Sequence, residues 1–390
     1  MSHTPLIKAK QVILALSGLY ALRMLGLFLI YPVLAIYAVH LPGATPFLIG
    51  LAMGIYGLSQ AILQIPFGIL SDKFGRKPLI IIGLLLFAAG SVVAALSHDI
   101  YGLIIGRVLQ GTGAISAVIT ALLADLLAPE RRAKAMAIVG LTIGMAFGLS
   151  LILAPALGAT VGLSGIFWVI TALILLSLVV LVFFVPEPVQ TQQALPSVQL
   201  STVFYNWQLW LLNISAFFLH ALLTTLFLWL PARLNELASA WYQQSFIYLV
   251  LLVGSYAVMM PILMRAEKSY QQKRVVQGSI IAFALTLLYF AFMPNTLWHL
   301  LLGILLFLIP FNLLEATLPS WVSRLAPQQT RGAAMGMYAT MQFLGIFAGG
   351  VGAGALLNYL SFSKVFLSFS VLMIIWFIIV RGLKQLTKQE

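Results

Sequence analysis

Residues 46–77 read PFLIGLAMGIYGLSQAILQIPFGILSDKFGRK. Up to Ser71 this stretch carries no charged side chain, and then Asp72-Lys73-Phe74-Gly75-Arg76-Lys77 carries four. At about 1.5 Å rise per residue, an uncharged helix of this length reaches across a hydrocarbon layer roughly 30 Å thick. The stretch therefore predicts a membrane-spanning helix that ends in a short, charged loop.

The same pattern recurs on both sides. Apolar runs at 11–40, 46–71, 78–97, 101–127, 134–160 and 163–185 fill the first half, and runs at 206–230, 243–265, 274–292, 297–323, 331–358 and 362–382 fill the second. With 62% hydrophobic and 8% charged residues, the chain has too little polar side chain to cover a water-soluble fold. The predicted class is an all-α polytopic membrane protein of twelve transmembrane helices in two six-helix bundles. The first run resembles a signal peptide only superficially. It is too long, carries Arg23 in its middle and lacks a small-x-small cleavage site, so it is expected to be retained.

A formal charge of +12 could suggest a nucleic-acid partner, but its placement argues otherwise. With the N-terminus inside, Lys8, Lys10, Lys73, Arg76, Lys77, Arg131, Arg132, Lys134, Arg265, Lys268, Lys273, Arg274, Arg324, Arg331, Arg381, Lys384 and Lys388 fall on the cytoplasmic side. Only Arg233 and Lys364 fall outside. This positive-inside bias predicts cytoplasmic termini in a bacterial inner membrane and no nucleic acid. Cysteine is absent, so disulfides and thiolate metal sites are excluded, and neither a metal nor a cofactor is expected.

One polar interruption, 186–205, begins Pro186-Glu187-Pro188 and is rich in Gln, which predicts a cytoplasmic linker. It divides the chain into an N-terminal bundle, 1–185, and a C-terminal bundle, 206–390. The halves repeat. Pro66, Asp72 and Lys73 recur as Pro261, Glu267 and Lys268 at an offset of 195. Leu127-Ala128-Pro129 recurs as Leu325-Ala326-Pro327, and Arg132, Ala135 and Met136 recur as Arg331, Ala334 and Met335, at offsets of 198 and 199. Duplication of a six-helix unit explains this register, and six being even, the two copies share one orientation.

Charge inside a bilayer costs a few kcal/mol, so buried exceptions carry information. Glu315 lies deep in span 10, His220 in span 7, Arg23 in span 1 and Arg107 in span 4, while Asp125 lies near the cytoplasmic end of span 4. Spans 1, 4, 7 and 10 are each the first of a three-helix set, the set expected to line a shared path. Glu315 is the candidate to bind and release a proton, because apolar surroundings favour the neutral acid and a nearby cation the carboxylate. A fixed ion pair, or a carboxyl that stays neutral, is the structural alternative. His220 could relay protons or only pack, whereas Arg23 and Arg107 stay charged and suit counter-ion or anchoring roles. Tyr31, Asn213, Phe217, Phe311, Asn312 and Tyr338 are the expected cavity lining.

Gly68-Ile69-Leu70-Ser71-Asp72-Lys73-Phe74-Gly75-Arg76-Lys77 resembles motif A of the major facilitator superfamily, G-x-x-x-D-x-x-G-R-[KR]. The resemblance implies that Asp72 and Arg76 latch onto the acidic end of span 4, where Asp125 matches, and hold an outward-facing state. Gly68 is expected to allow close packing, with Lys73, Gly75 and Lys77 completing the motif. Arg107-Val108-Leu109-Gln110-Gly111 resembles motif B, and Ala154-Pro155-Ala156-Leu157-Gly158-Ala159 is similar to a degraded antiporter motif C. Span 1 with Arg23 and Pro32, span 7 with His220 and span 10 with Asn312, Glu315 and Pro319 look most like the YajR-type branch. Longer members of that branch carry a soluble C-terminal domain, which is not expected after Glu390.

The resulting expectation is a monomeric proton-coupled transporter, of drug/proton antiporter type, that exports amphipathic or drug-like small molecules. The alternative is a proton symporter importing a nutrient or metal chelate. A membrane enzyme would need a nucleophile with a base, or a metal cluster, and a pump would need a G-x-x-x-x-G-K-[ST] loop; the sequence offers neither. A transporter-derived sensor is a further alternative.

Overall fold

A computed structural model of the chain describes residues 6–187, 203–327 and 330–385. Most of the expected linker, 188–202, lies outside the described residues. The elements are α1 (Leu6–Phe28), α2 (Leu34–Ala38), α3 (Pro46–Phe74), α4 (Arg76–Leu96), α5 (Ile100–Thr112), α6 (Ser116–Leu126) and α7 (Pro129–Phe184), followed by α8 (Trp207–Leu237), α9 (Trp241–Lys268), α10 (Gln272–Phe292), α11 (Leu297–Leu325), α12 (Arg331–Leu357) and α13 (Phe362–Val380). Only helices are found among the described residues, since a helix satisfies its own backbone groups in hydrocarbon.

Eleven described segments are long and apolar enough to cross a membrane. One of them, Ile138–Phe184, has the length of two, and Gly162 at φ 65° and ψ −172° breaks it where spans 5 and 6 are expected to meet. Counting that segment as two gives twelve apolar spans among the described residues. Span 4 departs from its expected continuous helix. Residues 113–115 unwind between α5 and α6, where Gly111 and Gly113 weaken helical preference and the freed carbonyl of Gly113 finds a side-chain donor. Short polar side chains cap two of the helix starts. Asp99 accepts from the Gly102 amide at 2.7 Å, and Asn206 accepts from the amides of Gln208 and Leu209.

Contacts divide the chain into two compact units, residues 1–44 with 55–196, and 45–54 with 197–390. In the first unit α1 packs along α7, and α4 along α5 and α7. In the second, α8 lies against α12, α10 against α13 and α11, and α9 against α11. The α8–α12 crossing is backbone to backbone. A Cβ at Gly345 or Gly349 would stand 2.2 Å from the carbonyl of Phe217 or Ala221, so only glycine allows the approach. Trp376 anchors this unit's core, stacked on Phe218 at 5.5 Å and donating its indole N–H to Ser215 at 3.0 Å. Large apolar side chains such as Phe183, Leu285, Trp298 and Ile378 point outward and are exposed, as a surface solvated by lipid requires.

Candidate functional site

In the second unit the close α8–α12 crossing sets His220 beside α12, and α11 brings Glu315 to it. His220 Nε2 stands 3.7 Å from Glu315 Oε2 and 3.2 Å from Gln342 Nε2, while its Nδ1 stands 3.0 Å from the carbonyl of Ala216. A carbonyl can only accept, so the ring proton sits on Nδ1 and the Nε2 lone pair faces Gln342 and Glu315. The His220–Glu315 separation exceeds a hydrogen bond, and the two form an ion pair only when Nε2 also carries a proton. Oε2 of Glu315 has no hydrogen-bond partner, and the side chain as a whole is 36% exposed. The phenols of Tyr256 and Tyr338 lie close enough to feel its charge, and Phe311 meets the His220 ring edge-on at 6.4 Å. The arrangement sets a carboxyl oxygen and an imidazole nitrogen, each chemically able to take a proton, 3.7 Å apart.

The first unit builds a cationic centre instead. The fully buried Arg23 guanidinium donates from Nη1 to Ser116 Oγ (3.0 Å) and from Nη2 to Tyr56 OH (3.2 Å), Gln60 Oε1 (3.1 Å) and the Gly113 carbonyl (3.2 Å). Gly113 opens the break in span 4 and Ser116 follows it. Arg23 thus caps the negative end of α5 and replaces the hydrogen bonds that the break removes. Arg107 lies over the Tyr56 ring at 5.0 Å and donates to Gln110 Oε1 at 2.8 Å, and Gln110 donates in turn to Ser91 at 2.8 Å. Of the four ionisable residues expected to act together, the fold pairs His220 with Glu315 and gathers Arg23 and Arg107 around Tyr56.

In the charged loop the side chains of Arg76 and Lys77 are both engaged. Arg76 contacts Asp72 at 2.5 Å and Asp125 at 3.0 Å, and donates to Ser71 Oγ at 2.6 Å. Lys77 donates to the Val185 carbonyl at 2.9 Å, and Gly75 adopts φ 96°. Gly68 does not serve close packing. A Cβ there would meet no atom within 4 Å, and what the position supplies is its carbonyl, which accepts the Ser71 hydroxyl at 2.7 Å.

Tyr31, Asn213, Phe311, Asn312 and Tyr338 are buried within their units and Phe217 is half-buried. Asn312 donates to Ser255 at 2.9 Å, and both side-chain polar atoms of Asn213 lack a partner. Sequence reasoning passed over Gln342, Tyr256, Tyr56, Gln60 and Gln64. Their signal was available. Tyr56, Gln60 and Gln64 recur every four residues in the stretch quoted at the outset, as Tyr338 and Gln342 do in span 11, and such residues share a helix face. Among the described residues no group of three His, Asp or Glu could hold a metal ion.

The family model described as Major Facilitator Superfamily matches residues 16–255 and 242–389. The chain is 38% identical over 376 residues to the inner membrane transport protein YajR of Escherichia coli (strain K12), covering 95% of this chain and 82% of that protein. It is 26% identical over 367 residues to the quinolone resistance protein NorA of Staphylococcus aureus (strain COL), covering 90% of each. Among solved structures, the D-xylose-proton symporter superposes with a TM-score of 0.77 at 16% identity, covering 99% of this chain and 100% of that one. The human organic anion transporter MFSD10 does so with 0.71 at 20% identity, covering 95% and 99%.

Proposed function

The chain belongs to the Major Facilitator Superfamily, and on that premise we propose that it is a proton-coupled secondary transporter that exports amphipathic or drug-like small molecules by alternating access. One observation carries the reading. Glu315, the one carboxyl deep in a span, has an unbonded oxygen facing the lone pair of His220. A proton arriving there has two adjacent acceptors. Protonated Glu315 is neutral and tolerates an apolar environment, whereas the carboxylate favours a cation or water; the two forms therefore bias the transporter's alternating states differently. Gln342 holds the imidazole in register through Nε2 and Ala216 fixes its tautomer through Nδ1.

Export rather than import rests on the likeness to a quinolone resistance protein and on the aromatic setting of the pair, with Tyr256 and Tyr338 near Glu315 and Phe311 against His220. The Asp72–Arg76–Asp125 cluster serves as a latch that must open in each cycle. The two six-helix bundles, 1–185 and 206–390, are the moving bodies, and the protein works as a monomer in the inner membrane with both termini in the cytoplasm.

Purified protein in liposomes with an imposed pH gradient tests this, with a fluorescent quinolone as cargo. Gradient-driven flux is expected for the native chain, and Glu315→Gln should abolish its gradient-dependent component while leaving gradient-independent exchange. Full coupled flux in Glu315→Gln removes the proton role. Accumulation that follows the proton inward in inverted vesicles replaces export with symport.

A further inference from the structure

The second unit contains a small cavity of about 10 Å³ lined by Gln272 at the start of α10 and by Thr317 and Trp321 near the end of α11, beside the Glu267–Arg324 ion pair. Both amide atoms of Gln272, the Thr317 hydroxyl and the Trp321 indole N–H are buried without a hydrogen-bond partner. Gln272 is 4% exposed, Thr317 4% and Trp321 1%. Buried polar groups are satisfied as a rule, and four orphaned atoms around one cavity point to something that satisfies them together.

The repeat shows that this polarity is specific to the second half. An offset of 195 places Lys77 opposite Gln272, and the Lys77 ammonium is bonded elsewhere, to Val185. Offsets of 198 or 199 place Ile119 and Leu123, or Val118 and Leu122, opposite Thr317 and Trp321. All four are buried aliphatics. Where the first unit buries aliphatic side chains at the two span-4 positions, the second presents three hydrogen-bonding side chains to a space the size of one water molecule.

We infer that an ordered water occupies this cavity and joins the start of α10 to the last turns of α11. The chemistry selects a neutral guest. A cation would face Arg324 and an anion Glu267, and each of those charges already has its partner in the other at 3.3 Å. A water can accept from the Trp321 N–H and the Gln272 Nε2–H and donate to Thr317 Oγ1, which uses three of the four orphaned atoms in the roles they require. The loop between, Ser269–Gln271, is held in one shape because Tyr270 sits at φ 55° while Gln271 N donates to the Ala266 carbonyl at 2.8 Å. The water thus makes the α9–α10–α11 joint a hydrated, neutral one.

Two measurements on the full chain in nanodiscs decide the matter. Thr317→Val is nearly isosteric. With a water present it strips one of the water's partners, so the thermal midpoint should fall by about 1–3 °C, while Thr317→Ser, which keeps the hydroxyl, holds it. The triple change Gln272→Leu, Thr317→Val and Trp321→Phe should recover part of that fall by removing the need for the water. If the cavity is dry, Thr317→Val only deletes an unsatisfied group, and a midpoint unchanged or raised overturns the inference. X-ray radiolytic labelling in water enriched in oxygen-18 supplies the second readout. Trp321 should be oxidised with oxygen that exchanges slowly with bulk, and absence of such labelling also overturns it.

Discussion

The loop after α3 and the loop after α9 occupy equivalent places in the repeat, each pass through one residue of positive φ and use different chemistry. Gly75 at φ 96° and Tyr270 at φ 55° stand 195 residues apart, so the chain turns through positive φ in both. In the first loop Arg76 bridges Asp72 and Asp125. In the second, Gln271 takes the place of Arg76, and the last turn of α11 carries Arg324 where that of α6 carries Asp125, so Glu267 pairs with Arg324 directly at 3.3 Å. Duplication preserved the turn and the presence of a cross-link and allowed the sign of the charge to move between helices. A backbone turn restricts which residues fit, whereas an ion pair needs only opposite signs within reach.

The turn itself should respond most strongly. Gly75, at φ 96° and ψ 152°, lies where only glycine is comfortable, so Gly75→Ala should cost about 1–3 kcal/mol in thermal or denaturant unfolding. Tyr270 lies in the left-handed region already, and Tyr270→Gly should change stability by less than about 0.5 kcal/mol, since relief of strain offsets the added freedom of the unfolded chain. Equal losses in the two loops would show that the shared φ is incidental.

Next in size is the cross-link. The Arg76 side chain is 15% exposed and holds three partners, so Arg76→Ala should destabilise by about 1–2 kcal/mol. Arg324 is 38% exposed with a single ionic partner, and Arg324→Ala should cost no more than about 0.5 kcal/mol after solvent screening. The halves can also be interconverted. Asp125→Arg alone sets two arginines together, whereas Asp125→Arg combined with Arg76→Gln copies the second unit's arrangement and should recover most of the lost stability. A double change no better than the single one breaks the equivalence. The smallest effect is that of salt. Near 1 M ionic strength, where the screening length is about 3 Å, the cost of Arg324→Ala should vanish while much of that of Arg76→Ala persists through its Ser71 bond.

Much of this was legible in the sequence for a physical reason. In a bilayer each crossing must be a helix of fixed minimum length, so apolar runs gave the crossings and the charged residues between them gave the loops. Asp72, Arg76 and Asp125 could be named because residues 68–77 resemble motif A of the family, which implies that latch. The break in span 4 was less legible. Gly111 and Gly113 are common in membrane helices, and what makes 113–115 unwind is a donor from Arg23, 90 residues away. The role of Gly68 was misjudged because motif position says nothing of which atoms lie opposite.

The amino-acid sequence by itself determined the all-helical membrane fold, the duplication and the rarity that makes Glu315, His220, Arg23 and Arg107 conspicuous. Only the tertiary structure decided their company: His220 with Glu315 and Gln342, Arg23 and Arg107 with Tyr56, and Gln272 with Thr317 and Trp321. Helical periodicity sets the face on which a residue lies, but which faces meet depends on how glycines and large side chains from distant segments pack.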